Sequence, residues 1–247
     1  MVKKLSLVVL LGAATALGAN AQIGGKQTFR FLSVPTNAKV AAIGGVNVSS
    51  MDQDVNMLAS NPALLNEKMD KHLSFSYVDY FADIRQNNLT YVFNSQKLGR
   101  WGVGINYMNY GDFVQRDAAG NEEGTFSVND YAFAFTHART VENYTIGATA
   151  KFAVSSIAGN KSVGALVDVG GQFKHPEKEL VIGLALKNVG YQLKPYEGAD
   201  REPMPFDAQI GMSYKLEHMP LRFSVTAHNL HQWDIVYLDP NKRGRLD

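Results

Sequence analysis

The fold of this chain is decided by stretches such as YTIGATAKF, residues 144–152, in which apolar side chains alternate with small or polar ones. Successive side chains of a β-strand point to opposite faces, so Tyr144, Ile146 and Phe152 share one face. The small and polar residues between them share the other face. The pattern therefore predicts a strand that separates an apolar environment from a polar one.

The same alternation returns in about nine segments of the chain. They lie near residues 73–82, 87–94, 101–110, 125–137, 143–155, 161–174, 179–188, 206–215 and 221–230. A tilted strand of about nine to eleven residues crosses the hydrocarbon of a bilayer. The polar faces are rich in Gly, Ser, Thr and Asn, whereas a soluble sandwich or lipocalin-like barrel would expose a more charged face to water. The sequence therefore predicts an all-β fold, a transmembrane antiparallel β-barrel.

Residues 1–21 have the features of a secretory signal peptide. Lys3 and Lys4 precede an apolar run from Leu5 to Leu11, and Ala19-Asn20-Ala21 has the small-x-small form of a cleavage site. The run is shorter than a membrane-spanning helix requires. A signal peptide followed by amphipathic strands predicts export to the outer membrane of a Gram-negative cell.

The composition argues against several classes of function. The chain has 24 basic and 23 acidic residues, and loss of Lys3 and Lys4 leaves 22 basic residues, with no basic cluster to suggest a nucleic-acid partner. The chain contains no cysteine, which excludes disulfides, thiolate metal sites and an N-terminal lipid on Cys. We find no Gly-rich phosphate loop and no nucleophile elbow, and the histidines are scattered. We therefore predict a protein that is not an enzyme and has no cofactor or metal.

We divide the exported chain into an N-terminal plug segment, residues 22–71, and a barrel, residues 72–247. The first part does not alternate, contains breakers such as Pro35, and has one short helix predicted from Asp54 to Ala59. It would lie in the barrel lumen, under the periplasmic mouth, or in the periplasm as a tail. An odd number of strands leaves two unpaired edges, and residues 241–247 are polar, so we expect further C-terminal strands beyond Asp247.

Charged residues fall on the polar, lumen-facing side of several strands, Asp168 and Asp207 among them. One interpretation is a solvated, salt-bridged interior that stiffens the barrel. The other is a lining that selects a solute or holds the plug, in which case Arg30 is a candidate partner for Asp168 or Asp207.

Two longer connections, residues 111–124 and 189–205, are predicted to be exposed on the outer side of the membrane. Aromatic and arginine side chains are favoured anchors of protein interfaces. The candidate partner contacts in these connections are Phe113, Tyr191, Tyr196 and Arg201.

Several short sequences go beyond a generic barrel. They are Thr28-Phe29-Arg30-Phe31-Leu32, Asn61-Pro62-Ala63-Leu64-Leu65, Leu73-Ser74-Phe75-Ser76-Tyr77, Asn109-Tyr110-Gly111-Asp112-Phe113, Pro205-Phe206-Asp207 and Trp233-Asp234. Together they resemble the PorQ family, outer-membrane components of the type IX secretion system of Bacteroidetes. The Asn-Pro-Ala element also occurs in the wider group of FadL-like barrels, which includes the related PorV.

The resemblance implies a FadL-like barrel of about fourteen strands, an even number as in other bacterial outer-membrane barrels, with an N-terminal plug. It also implies membership of the attachment complex, in which PorQ-like proteins hold a soluble surface partner, PorZ, beside PorU and PorV. The alternative function is a FadL-like transporter of hydrophobic small molecules. A transporter requires a continuous apolar path, whereas the predicted lumen face here is hydrophilic.

Overall fold

The structure is a computed structural model that describes residues 27–50, 53–95, 97 and 99–232. The predicted signal peptide, residues 1–21, lies outside the described residues, as do Trp233-Asp234 and residues 241–247. The described part is all-β apart from several short helices. No described helix is long and apolar enough to cross a membrane.

Nine strands form one antiparallel sheet in which each strand pairs with its neighbours along the chain. They are β1 (Leu73–Asp79), β2 (Arg85–Ser95), β3 (Gly99–Arg116), β4 (Glu122–Val141), β5 (Tyr144–Ile157), β6 (Asn160–Lys174), β7 (Leu180–Lys194), β8 (Asp207–Lys215) and β9 (Arg222–Ala227). The all-β prediction and the nine strand positions are confirmed. An antiparallel meander of this kind fits a β-barrel-like fold.

Three strand ends differ clearly from the prediction. Strand β3 runs to Arg116 and β4 begins at Glu122, so most of the predicted loop 111–124 is a paired hairpin. A register shift between Asn109 and Asp112 interrupts the alternation there, and such bulges hide a strand from pattern reading. Strand β7 likewise runs to Lys194, so the connection to β8 is shorter than predicted.

We call residues 27–72 the inner segment. Its short helices are α1 (Ala38–Ala42) and four 3-10 turns, Arg30–Ser33, Val55–Ala59, Pro62–Leu64 and Glu67–Met69. Asn or Asp side chains cap four of the five by accepting a backbone N–H, as Asp54 does from Asn56 at 2.9 Å. The helix predicted from Asp54 to Ala59 is therefore present, as a 3-10 turn.

The inner segment packs on one face of the sheet, which we call the inner face. Val55–Ala59 lies against β1 and β2, and Pro62–Leu64 lies against β4, β5 and β6. The inner face is polar although it is covered. Its buried side chains include Gln86, Asn88, Thr90, Asn106, Asp130, Thr136, Thr149, Asp168, Gln172, Gln209 and Ser213.

The opposite, outer face is apolar and uncovered. Ten of its aromatic side chains are between 37% and 64% exposed: Phe75, Tyr77, Tyr91, Tyr131, Phe133, Phe135, Tyr144, Phe152, Tyr191 and Phe223. Aliphatic side chains such as Ile146 and Leu184 fill the positions between them and are also exposed. The polarity of the sheet is thus the reverse of that of a water-soluble domain.

Glycines on the inner face allow the inner segment to approach the sheet backbone. A Cβ at Gly147 would lie 2.5 Å from the carbonyl carbon of Pro62, and a Cβ at Gly170 would overlap the Asn61 side chain. The amide of Asn61 is held in place because its Nδ2 donates to the Val48 carbonyl at 2.8 Å. Absence of a side chain at these two positions is what allows the contact.

Candidate functional site

The centre of the inner face carries a buried ion pair. Lys151 on β5 and Asp168 on β6 lie 2.5 Å apart, with side-chain exposures of 9% and 1%. Asn188 completes the group, because its backbone N–H donates to Asp168 at 2.7 Å and its side-chain oxygen accepts from Lys151 at 3.0 Å. Each charge therefore has a partner and a further hydrogen bond, as buried charges require.

A bulge in β7 makes this arrangement possible. The β6–β7 register shifts between Val167 and Val169, and Asn188 adopts a left-handed backbone conformation with φ 57°. Asparagine tolerates that conformation better than most residues. The extra residue directs the Asn188 N–H towards Asp168 and leaves Lys187 beside it on the inner face.

The predicted interior residues are Arg30, Asp168 and Asp207, and each has its own hydrogen-bonding or ion-pair partners. Asp168 is paired with Lys151 and not with Arg30. Arg30 donates to Gln27 at 2.9 Å, and Asp207 accepts from Gln209 at 2.5 Å and from the Asn229 backbone at 2.6 Å. The predicted Arg30–Asp168 contact is not formed, because Lys151 on β5, diagonally across from Asp168 in the register, reaches that carboxylate. Arg30 and Asp207 do line one cavity.

A second polar network joins β3, β4 and β5 in the half of the sheet nearer the β3–β4 hairpin. Tyr110 donates to one oxygen of Asp130 at 2.7 Å, and Ser155 donates to the other. Tyr196, in the β7–β8 connection, donates to Ser155 at 2.6 Å. Burial raises the pKa of Tyr196 above its ordinary value, so the phenol stays protonated and able to donate.

The β7–β8 connection folds inward over the inner segment. Glu202 accepts from Thr28 at 2.5 Å, and its backbone N–H donates to Gln192 at 2.7 Å. Met204 is buried in a cluster with Phe29 and Phe31. The connection was predicted as an exposed loop. Residues 197–201 and Pro203 are exposed, in agreement with that prediction, whereas Tyr196, Glu202 and Met204 turn inward and are partly or fully buried.

The β3–β4 hairpin, in contrast, is stabilised by its own residues. Asp117 accepts from the Asn121 backbone at 2.8 Å and from its side chain at 2.9 Å, and hydrogen bonds from Asn121 lower the pKa of Asp117. Arg116 pairs with Glu122 at 2.6 Å across the turn. The hairpin therefore projects as an ordered element.

The four predicted partner contacts fall in different settings. Phe113 is exposed on β3 and stacks on Phe126, with ring centroids 5.5 Å apart. Tyr191 is exposed on β7, and the Arg201 guanidinium lies over its ring at 4.9 Å. Tyr196 is half-buried on the inner face and is not available as an exposed contact.

The exposed contacts also do not form one patch. Phe113 and Tyr191 are on strands four positions apart in the sheet, about 19 Å at ~4.8 Å per strand. Phe113 belongs to the β3–β4 hairpin, and Tyr191 lies near the end of β7. These residues are chosen from the sequence by their type, and residue type does not show how far apart their strands lie in the sheet.

Among the described residues, no group of three or more His, Asp or Glu side chains is placed to hold a metal ion. Neither a scan against protein-family models nor a search of curated proteins finds a match to this chain.

Proposed function

We propose that this chain is an outer-membrane β-barrel protein whose outer face contacts lipid. The observation that carries the proposal is the reversed polarity of the sheet. Tyr191 lies beside Arg201 near the end of β7, and the other nine exposed aromatic rings of the outer face amount to about 900 Å² if each side chain contributes ~200 Å² when fully exposed. A soluble monomer exposes apolar patches of only about 300–600 Å².

The lengths of the apolar runs support the same proposal. On β5 the outward positions from Tyr144 to Val154 are all apolar, and the run matches the roughly nine to eleven residues that a tilted strand needs to cross a bilayer. The polar residues that alternate with them lie on the covered face. This arrangement is typical of outer-membrane barrels.

We further propose that the protein is a non-enzymatic component of the type IX secretion system, of the PorQ family, with a FadL-like barrel of about fourteen strands. It anchors a PorZ-like soluble protein at the cell surface, beside PorU and PorV. Support comes from the PorQ-like sequences, several of which fall at structurally important positions. Asn61 and Pro62 are the residues that press on the sheet glycines.

The two outer connections are the proposed attachment points. The β3–β4 hairpin presents Phe113, whereas Tyr191 lies near the end of β7 and Arg201 in the connection that follows it. The β3–β4 hairpin is held by its own hydrogen bonds, and the β7–β8 connection is held by bonds to Thr28 and Ser155, so binding costs little ordering of either backbone. Two anchors on one rigid sheet also suit a partner with a broad contact surface.

The interior favours this function over a FadL-like transporter of hydrophobic molecules. The cavity between the inner segment and β2–β5 that includes Leu32 and Leu58 has a volume of only about 70 Å³. Polar side chains such as Asn88 and Thr149 also line it. A drug-sized apolar ligand needs about 300 Å³ or more.

Affinity capture of the tagged full-length protein from outer membranes tests the proposal. We expect a PorZ-like protein at stoichiometric yield from the unaltered chain, and loss of that protein from the triple variant Phe113→Ala, Tyr191→Ala, Arg201→Ala. Tyr196 is left unchanged because its substitution would disturb the interior. A matched control alters Val141 and Lys178, which are exposed at the opposite ends of the strands.

Undiminished capture by the triple variant would contradict the attachment points. Recovery of the tagged protein in the soluble fraction would contradict the membrane proposal itself.

A further inference from the structure

A polar cavity of about 230 Å³ lies between the inner segment and strands β7 and β8. Its lining includes Gln27, Arg30, Asn47, Lys187, Asp207 and Gln209. The volume equals that of about eight water molecules at ~30 Å³ each, so a small polar solute fits and a lipid chain does not. The ion pair of Lys151 and Asp168 lies behind it.

Two cationic groups face this cavity. Lys187 is on the inner face of β7, opposite Asp207 in the sheet register, and its ammonium makes no hydrogen bond within the described residues. The Arg30 guanidinium, from the inner segment, donates only to the neutral amide of Gln27 among those residues. Both groups therefore retain donors for a ligand.

Gln209 supplies an acceptor in the same cavity. The residue is 6% exposed, and its Nε2 donates to Asp207 at 2.5 Å. Because a carboxylate accepts and does not donate, this contact fixes the orientation of the amide. The Oε1 atom is buried and has no partner within the described part of the chain. An unpaired buried acceptor costs about 1–3 kcal/mol, so its presence calls for an explanation.

The charges around the cavity do not balance. Lys151, Lys187 and Arg30 are basic, whereas only Asp168 and Asp207 are acidic. One positive charge is left over at the cavity, where Lys187 is half-buried and Arg30 is exposed, and this surplus attracts an anion. A ligand with a single negative charge neutralises the site, and a dianion reverses the imbalance.

We propose that this cavity binds a small hydroxylated monoanion, such as a hydroxycarboxylate. Its carboxylate accepts from Lys187 and Arg30, and its hydroxyl donates to Gln209 Oε1. The site lies on the inner face, away from the outer attachment points, and adds a ligand to a protein proposed above only as an anchor. The binding does not depend on that anchoring function.

Titration calorimetry on the purified full-length protein in detergent tests the site with three probes of similar size. D-glycerate has both the charge and the hydroxyls, glycerol lacks the charge, and propionate lacks the hydroxyls. We expect glycerate to bind at least tenfold more tightly than either of the others. Equal binding of all three, or no binding of glycerate, overturns the proposal.

Substitutions of the two cationic residues test whether glycerate binds in this cavity. Arg30→Gln and Lys187→Gln are each expected to weaken glycerate binding at least tenfold, whereas Lys194→Gln, on the same strand but outside the cavity, leaves it unchanged. Arg30 lies outside the sheet, so its variant remains informative if substitution at Lys187 prevents folding. Unchanged glycerate affinity in Arg30→Gln places the ligand elsewhere and refutes the assignment.

Discussion

Gly170 and Gly171 are neighbours on β6, yet they meet opposite surroundings. A Cβ at Gly170 would overlap Asn61 of the inner segment, whereas a Cβ at Gly171 would have nothing within 4 Å. The same contrast holds across the whole sheet. The inner face is polar, covered and densely hydrogen-bonded, and the outer face is apolar and bare.

The difference shows where the specificity of this fold resides. The covered face is held by directed contacts. The Lys151–Asp168 pair joins β5 to β6, and Asn61 of the inner segment, held by the Val48 carbonyl, lies against Gly170. In the proposed lipid environment the bare face needs only to be apolar, because lipid imposes no particular shape. Substitutions on the two faces should therefore have very different effects.

The largest effect is expected for Lys151→Met. The variant leaves the Asp168 carboxylate buried without its ion-pair partner, which costs about 3–5 kcal/mol of unfolding free energy. Urea unfolding of the protein refolded into liposomes measures the loss. The control is Phe152→Leu, one residue further on the outer face, where we expect less than about 1.5 kcal/mol. Similar losses for both variants would contradict the difference between the faces.

The next effect tests what covers the outer face. Ala150→Arg places a charge near the middle of β5 and should cost about 2–4 kcal/mol in a bilayer, whereas Val141→Arg, at a strand end, should cost about 0–1 kcal/mol. The same liposome titrations report both values. A small, equal cost for the two arginines would mean that this face meets water.

A smaller effect is expected from the paired glycines. Gly170→Val forces the Asn61 side chain out of its site and should cost about 1–3 kcal/mol through overpacking. Gly171→Val should stay within about 0.5 kcal/mol of the unaltered protein. Thermal unfolding in detergent, followed by the mobility of the folded form on gels, compares the two. Equal midpoints would show that the inner segment does not press on the sheet.

The smallest effect on stability is expected from removal of a tyrosine hydroxyl, which we compare at Tyr196 on the inner face and Tyr191 on the outer face. Tyr196→Phe removes the hydrogen bond to Ser155 and should cost about 1 kcal/mol. Hydrogen exchange of residues 195–206 should then accelerate about fivefold, because ~1 kcal/mol is that factor in an opening equilibrium. Tyr191→Phe, on the outer face, should leave exchange unchanged. Acceleration in both variants would point to a general loosening.

Much of this architecture could be predicted from alternation alone. The period-two pattern located all nine strands, and it assigned Lys151 and Phe152 to opposite faces, as the register shows. Alternation is a local property, and a strand that separates polar from apolar surroundings displays it directly.

Contacts between distant segments could not be predicted in the same way. Charge alone offers Arg30 two partners, Asp168 or Asp207, whereas the bulge at Asn188 and the position of Lys151 give Asp168 a different one. The length of the β7–β8 connection predicts exposure, and residues 197–201 are exposed, but Tyr196 and Glu202 of the same connection form inward hydrogen bonds. On a polar inner face, however, polarity is no guide to exposure.

The position of the inner segment ahead of the sheet has a consequence for biogenesis. It precedes all nine described strands, and each of these after β1 pairs with the strand just before it. In a chain delivered from its N-terminus, residues 27–72 are present before there is a sheet to enclose them. The segment can thus act as an internal template, on which the glycines of β5 and β6 are aligned as successive strands are added.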